Sequence, residues 1–319
     1  MDIIYTDSDN NDLGVLKDFY LDLAFGEDEN NFEVKMPLVA RCLDSGYTLY
    51  ANGTEYGGIV DGVVIDTASQ TIVYSGRTWH GLLDSKIITP ASGEDYYVVQ
   101  GDANTIISDL LTEYGLTARF SVANHASPIN VPQTNLPRYK GIYTSLLGLL
   151  RDNGGKLAMS VKDGIVTLDA VEVVDYSEIY EFTSDEISFK IEQSFNPVNH
   201  LICLGQGELK DRQRIDLFAD EDGNISTTQT IFGIDERTET YDYSSVESLD
   251  ELEKEGRSEF KERRKDGEVN IDFDATRDFD VSDLVEVSEV ITGLTVKKRI
   301  SKKIVSINKS QVTVNYKIK

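Results

Sequence analysis

The stretch ITGLTVKKRISKKIVSINKSQVTVNYKIK, Ile291–Lys319, decides how the rest of the chain is read. In its second half Val312, Val314, Tyr316 and Ile318 alternate with polar residues, the period-2 pattern of a half-buried strand. The strand before it alternates Val296, Ile300 and Ile304 against Lys297, Arg299 and Lys303. The pattern then shifts to Val305 and Ile307, which predicts a bulge. From Lys297 onward this hairpin carries eight cations and no acid, although the whole chain holds 56 Asp and Glu against 31 Lys and Arg, a formal net charge of -25. On this reading Lys297, Arg299 and Lys303, with Lys317 and Lys319 on the neighbouring strand, form a polar outer face over an apolar one. Cations on an edge strand block unwanted pairing. A segregated cationic face also steers the docking of an acidic neighbour and fixes its register.

Working outward, the chain's 319 residues suit two or three domains, and 40% hydrophobic content supplies folded cores. Residues 1–100 hold 17 acids and 5 cations, so the acidic excess is concentrated early. So negative a surface repels phosphate backbones, which excludes a general nucleic-acid binder. Cys42 and Cys203 form no CxxC motif or disulfide framework and read as free thiols of a protein folded in a reducing compartment. The opening MDIIYTDSD lacks the pattern of a signal peptide, and no apolar run reaches spanning length, so membrane insertion is not expected.

The element pattern divides into three. Residues 1–90 read as strands, among them Gly14–Leu23, Asn31–Met36, Glu55–Asp66 and Gln70–Gly76, followed by a helix at Thr78–Ser85. Residues 91–180 read as an α/β module. Asp102 caps a helix ending at Gly115, a second helix covers Thr144–Asn153, and a hairpin turns at Lys162-Asp163-Gly164. His125–Tyr139, with Pro128, Pro132 and Pro137, reads as an exposed loop. Residues 181–319 return to β, interrupted by a helix over Leu249–Lys265 whose Ser248 and Glu251 match a capping box. The expected fold is therefore mainly β (α+β): two small antiparallel β-barrel domains, 1–90 and 181–319, with an α/β insert at 91–180, allowing the domains to exchange segments.

No catalytic, cofactor or metal set assembles. His80, His125 and His200 lack metal spacing. His80 beside Trp79 reads as a partly exposed neighbour of a core aromatic. Cys203 and His200 fall on opposite faces of a strand. The acidic loops at Asp7–Asp18 and Asp220–Asn224 depart from the calcium-loop pattern and read as Asx turns. Gly205-Gln206-Gly207 lacks the third glycine and the following helix of a dinucleotide loop.

Three stretches carry a resemblance: GRTWHGLLDSKII (Gly76–Ile88), NHLICLGQGELKDR (Asn199–Arg212) and ITGLTVKKRISKKIVSI (Ile291–Ile307). In this order and spacing the chain resembles the Gp37-like and Tal-like tail-hub proteins of siphophages and prophages of Gram-positive bacteria, similar in fold to the baseplate hub. The resemblance implies a non-enzymatic homotrimeric ring in the virion tail that joins a hexameric tail tube to the tail tip. Its implied partners are the distal tail protein, the tube, the tape-measure protein and tail-tip or receptor-binding proteins, with genome DNA passing through unbound. It supplies no catalytic residues and no cofactor. A cationic DNA contact would oppose ejection, so docking is the functional reading of the basic hairpin. Because the chain stops at Lys319, wall degradation or receptor binding is expected in another protein. A tail-associated cell-wall hydrolase and a carbohydrate- or receptor-binding module stay open as alternatives.

Overall fold

The computed structural model describes residues 1–179, 182–185, 189–190, 197–221, 223–246, 248–264, 269–273, 279–308 and 311–318. It is mainly β, with four α-helices among the described residues. In chain order the first strands are β1 (Ile4–Thr6), β2 (Asp12–Val15), β3 (Tyr20–Gly26), β4 (Asn31–Pro37), β5 (Thr48–Tyr50), β6 (Gly57–Asp66) and β7 (Thr71–Thr78). Helix α1 (Trp79–Asp84), β8 (Tyr97–Asp102), α2 (Ala103–Glu113), β9 (Phe120–Val122), β10 (Asn130–Leu136), α3 (Ile142–Asp152), β11 (Gly155–Lys162) and β12 (Ile165–Glu172) follow. After them come β13 (Phe182–Thr183), β14 (Phe189–Lys190), β15 (His200–Leu204), β16 (Arg214–Ala219), β17 (Ile225–Ser226) and β18 (Thr238–Asp242). Helix α4 (Leu249–Arg263), β19 (Val269–Phe273), β20 (Leu284–Ser288), β21 (Thr295–Asn308) and β22 (Gln311–Ile318) complete the chain.

Two compact units result, residues 1–190 with 270–319, and residues 191–269. In the first, the main sheet runs β14-β19-β22-β21-β3-β4-β7-β6-β5-β1-β2, and among the described residues this path is open rather than closed into a barrel. The last hairpin, read from sequence with residues 181–319, pairs antiparallel with the N-terminal strand β3, Lys303 opposite Phe25 and Val305 opposite Leu23. Local patterns cannot announce such a partner, because any two half-buried strands share the same alternation. Burial alternates cleanly where the sheet covers its core: Phe32, Val34 and Met36 of β4 are buried and the residues between them exposed.

The α/β insert packs within the same unit. Asp102 caps α2, its carboxylate accepting from Thr105 N–H at 2.9 Å, and Gly115 follows the helix at φ +67. Asp163 and Gly164 both have positive φ, so the two-residue β11–β12 turn is of the tight type that matches strand twist. The region His125–Tyr139 departs from expectation. Asn130–Leu136 is a strand paired with β8, and Pro132 is tolerated because the register shifts between Val131 and Thr134.

The second unit is a four-stranded sheet, β17-β16-β15-β18, covered on one face by α4. Leu201, Cys203 and Leu217 from the sheet meet Leu252 and Phe260 from the helix in one buried cluster. The capping box at the start of α4 does not form: Ser248 is the N-cap residue, but its side chain makes no capping hydrogen bond. Asp250 and Glu251 in the first turn still complement the helix dipole. The expected final residue of this helix, Lys265, and much of the strand expected at Ser188–Glu192 lie outside the described residues. No helix among the described residues is long and apolar enough to cross a membrane.

Candidate functional site

The basic hairpin is built around one residue. Pairing of β21 with β22 slips between Ile300 and Lys302, so the expected bulge falls at Ser301, ahead of Val305. Gly26, at φ +151, lies against the bulge, and Glu27 N–H donates to the Ser301 carbonyl at 2.9 Å. An extra residue in a strand reverses which side chains face in. Beyond the bulge it is Lys303, Val305 and Ile307 that are buried, while Ile304 is only partly covered. The alternation of Ile300 and Ile304 against Arg299 and Lys303 therefore does not hold across Ser301.

Lys303 consequently enters the core, at 1% exposure. Its ammonium donates to Glu55 Oε1 at 2.9 Å and lies 5.3 and 5.8 Å from the ring centroids of Tyr56 and Tyr316. Those rings add a cation–π attraction to the ion pair. Glu55 Oε2 faces His80 Nε2 at 3.5 Å. His80 is itself buried, stacked on Phe25 at 4.3 Å, so it is not the partly exposed neighbour expected beside Trp79. Burial pushes the Glu55 carboxyl up, but Lys303 and His80 outweigh it and hold the group down at about 2. A buried charge survives only when so compensated.

Three more cations of the hairpin also find partners inside the chain. Lys302 pairs with Asp28 at 2.8 Å and Glu29 at 3.1 Å, both in the β3–β4 turn. Lys297 pairs with Asp175 at 2.6 Å and keeps its side chain 42% exposed. The Arg299 guanidinium donates to the Ser282 carbonyl at 2.7 Å. Lys317, half-buried, stands opposite Lys302 in the register. Lys319 lies outside the described residues. Lys297, Lys302 and Lys303 of the basic hairpin thus supply counter-ions to acids that lie far earlier in the chain.

A second buried pair does the same for the insert. Lys156 of β11 contacts Asp283 at 2.8 Å and Asp280 at 2.6 Å, and Asp283 is fully buried. Asp283 also accepts from Val174 N–H, tying the end of the insert to the approach to β20. Burial and the nearby Glu55 push the Asp280 carboxyl up, against the pull of Lys156.

Sequence reading missed Glu55, Lys302 and Lys156. One signal was available for the lysines of the hairpin. Adjacent strand residues point to opposite faces, so Lys302-Lys303 in a strand flanked on both sides sends one ammonium inward. Nothing local marks Glu55 among the 56 acids.

The remaining candidates take structural roles. Asp7 accepts from Asp9 N–H two residues on, an Asx turn, and also from Asn11 N–H, while Asp220 accepts from Asn224 N–H four residues on, closing its loop without an Asx turn. His125 contacts Asp169 at 3.1 Å, and His200 bridges Asp216 and Glu236 at 2.8 and 2.7 Å. Cys203 packs beneath Gly256 of α4, with burial pushing its thiol up to about 11.

No protein-family model matches the chain, and no curated protein matches its sequence. Solved structures do match. The 43 kDa tail protein of prophage MuSo2 from Shewanella oneidensis aligns over 100% of this chain and 98% of its own, with TM-score 0.58 and 12% identity. The chain has the fold of prophage tail proteins. A tail protein from Neisseria meningitidis aligns over 99% of this chain and 95% of its own, at TM-score 0.55 and 14% identity. Prophage tail protein gp18 from Listeria monocytogenes aligns over 100% and 94%, at TM-score 0.50 and 14% identity. The tail-protein fold thus spans both compact units.

Proposed function

We propose that this chain is a non-enzymatic structural subunit of a phage or prophage tail, acting as the hub. In this role three copies form a ring that joins the hexameric tail tube to the tail tip. The observation that carries the reading is the end-to-end fold match to prophage tail proteins.

The finer assignment follows the three sequence stretches that resemble Gp37-like and Tal-like hubs of Gram-positive hosts. Two tube-type barrel domains, 1–90 and 181–319, flank the insert 91–180, with the last hairpin exchanged onto the first domain. Three subunits then offer six similar domains to a six-fold tube. The distal tail protein, tape-measure protein and tail-tip proteins are the neighbours, and DNA passes through a channel whose acidic wall repels its phosphates.

The docking role of the basic hairpin stays with Lys297, Arg299, Lys317 and Lys319, while Lys303 is occupied by Glu55. Lys297 is partly exposed even while paired with Asp175, and could exchange that partner for an acid on a neighbour. Averaged electron micrographs of the purified chain test the hub reading. A three-fold ring with a central opening is expected, and particles without three-fold symmetry would overturn it.

A further inference from the structure

Three groups that the tail reading does not use converge within the first compact unit. They are Lys156 of β11, and Asp280 and Asp283 just ahead of β20. Lys156 is 5% exposed and Asp283 is fully buried. The Lys156 ammonium lies 2.8 and 2.9 Å from the two Asp283 oxygens and 2.6 Å from Asp280 Oδ2. Being equally close to both oxygens, Nζ stands within roughly 3–3.5 Å of the carbon between them, the separation at which a nucleophile is poised to attack.

The backbone is bent to make this meeting. Ser282 is buried and has φ +85, a left-handed conformation that favours glycine. It lies in a turn closed by Asp283 N–H donating to the Asp280 carbonyl at 3.2 Å. That turn brings both carboxylates to one amine. Strained backbone of this kind gathers where chemical groups are held in place.

The Asp283 carboxyl carries a main-chain donor on each oxygen. Val174 N–H donates to Oδ1 at 2.9 Å, and Asp280 N–H to Oδ2 at 3.0 Å. Such donors stabilise the charge that develops on a carbonyl oxygen as a tetrahedral centre forms. Phe279, beside the turn, packs edge-on against Tyr176, Phe182 and Tyr316, with ring centroids 4.7, 5.7 and 5.4 Å away. Apolar surroundings favour a neutral amine and a neutral acid over the charged forms. A structural ion pair needs one carboxylate for one ammonium, and a second adds like-charge repulsion.

We propose that Lys156 and Asp283 condense into an intramolecular amide, with Asp280 as the catalytic proton carrier. The Lys156 ammonium first passes a proton to the Asp283 carboxylate, giving an amine and a carboxylic acid. The amine lone pair forms the Nζ–Cγ bond, and the carbonyl π electrons move onto the oxygen faced by a main-chain N–H. Asp280 takes a proton from the nitrogen and returns it to the departing hydroxyl. The Cγ–O bond breaks and one water leaves. Ammonium plus carboxylate thus becomes amide plus water, which needs neither oxidant nor cofactor. Burial, with Glu55 nearby, raises the Asp280 pKa, so this carboxylate takes up a proton more readily than an ordinary aspartate. Its side chain is 40% exposed, which gives the water a way out. The amide closes the chain from 156 to 283 into a covalent loop that contains the second compact unit, and fastens the insert to the final strands.

Intact-mass spectrometry of the purified full chain, followed by peptide mapping, tests the proposal. Wild type should be one water lighter than its sequence mass, with residues 156 and 283 recovered in one branched peptide. Asp280→Ala keeps Lys156 and Asp283, and should stay mostly at the full sequence mass with the two residues in separate peptides. Lys156→Arg keeps a cation and should lose no water. Wild type at the full sequence mass, with separate peptides, would overturn the proposal whatever the variants do. A loss of water mapped to other residues would do the same. Asp280→Ala joined as completely as wild type would remove Asp280 from the reaction.

Discussion

The Lys303 ammonium lies 2.9 Å from the Glu55 carboxylate, across 248 residues of sequence. This contact fastens the C-terminal hairpin to the N-terminal part of the main sheet. Such a pair adds little net stability over an apolar substitute, but removing one partner leaves an uncompensated buried charge. Lys303→Met should therefore cost roughly 3–5 kcal/mol in urea denaturation. The double variant Lys303→Met with Glu55→Gln should recover most of that loss. A double variant as unstable as the single one would show that packing, and not charge, holds the hairpin.

The same pair sets an acid dependence. The folded-state pKa of Glu55 is lowered from 4.5 to about 2. A depressed carboxyl contributes stability that is fully present above its ordinary pKa and lost as pH falls through the folded value. The contribution, on the order of 3 kcal/mol, should vanish between about pH 4.5 and 2. Glu55→Gln should flatten the stability profile over that window, and an unchanged slope would contradict the assignment.

Gly26 makes room for the bulge that turns Lys303 inward. A Cβ there would overlap the Ser301 carbonyl oxygen, and the backbone is at φ +151. Gly26→Ala should destabilise by roughly 1–3 kcal/mol or more, since both crowding and φ oppose it. Thermal unfolding of the variant checks this, and an unchanged midpoint would mean that the bulge relaxes freely.

In the second unit Leu252 is fully buried in the cluster with Leu201, Leu217 and Phe260. Leu252→Ala should cost roughly 2–5 kcal/mol. Hydrogen exchange should localise the loss to residues 197–264, and a loss spread evenly over the chain would argue against a separate unit.

The β character and the helices were legible because each rests on a local signal. Examples are the alternation of Val312, Val314, Tyr316 and Ile318, the cap at Asp102, and the Asp163-Gly164 turn. The faces of β21 were not, because a one-residue bulge at Ser301 reverses every side chain after it, and its position depends on Gly26 in another strand. The strand at Asn130–Leu136 was hidden by Pro132 within it and by Pro128 and Pro137 on either side, and a register shift accommodates Pro132. The cationic stretch drew attention as a candidate site, but its acidic partners Asp28, Glu29 and Glu55 could be identified only from the tertiary pairing.

Whether the chain is a tail-hub subunit is tested most directly by locating it in the particle. Cryo-electron microscopy of virions that carry this chain, with quantitative mass spectrometry of the same preparation, gives both position and copy number. Three copies per tail, at the junction between tube and tip, are the expected result. Absence from the virion, or six-fold copies stacked along the tube, would contradict the account.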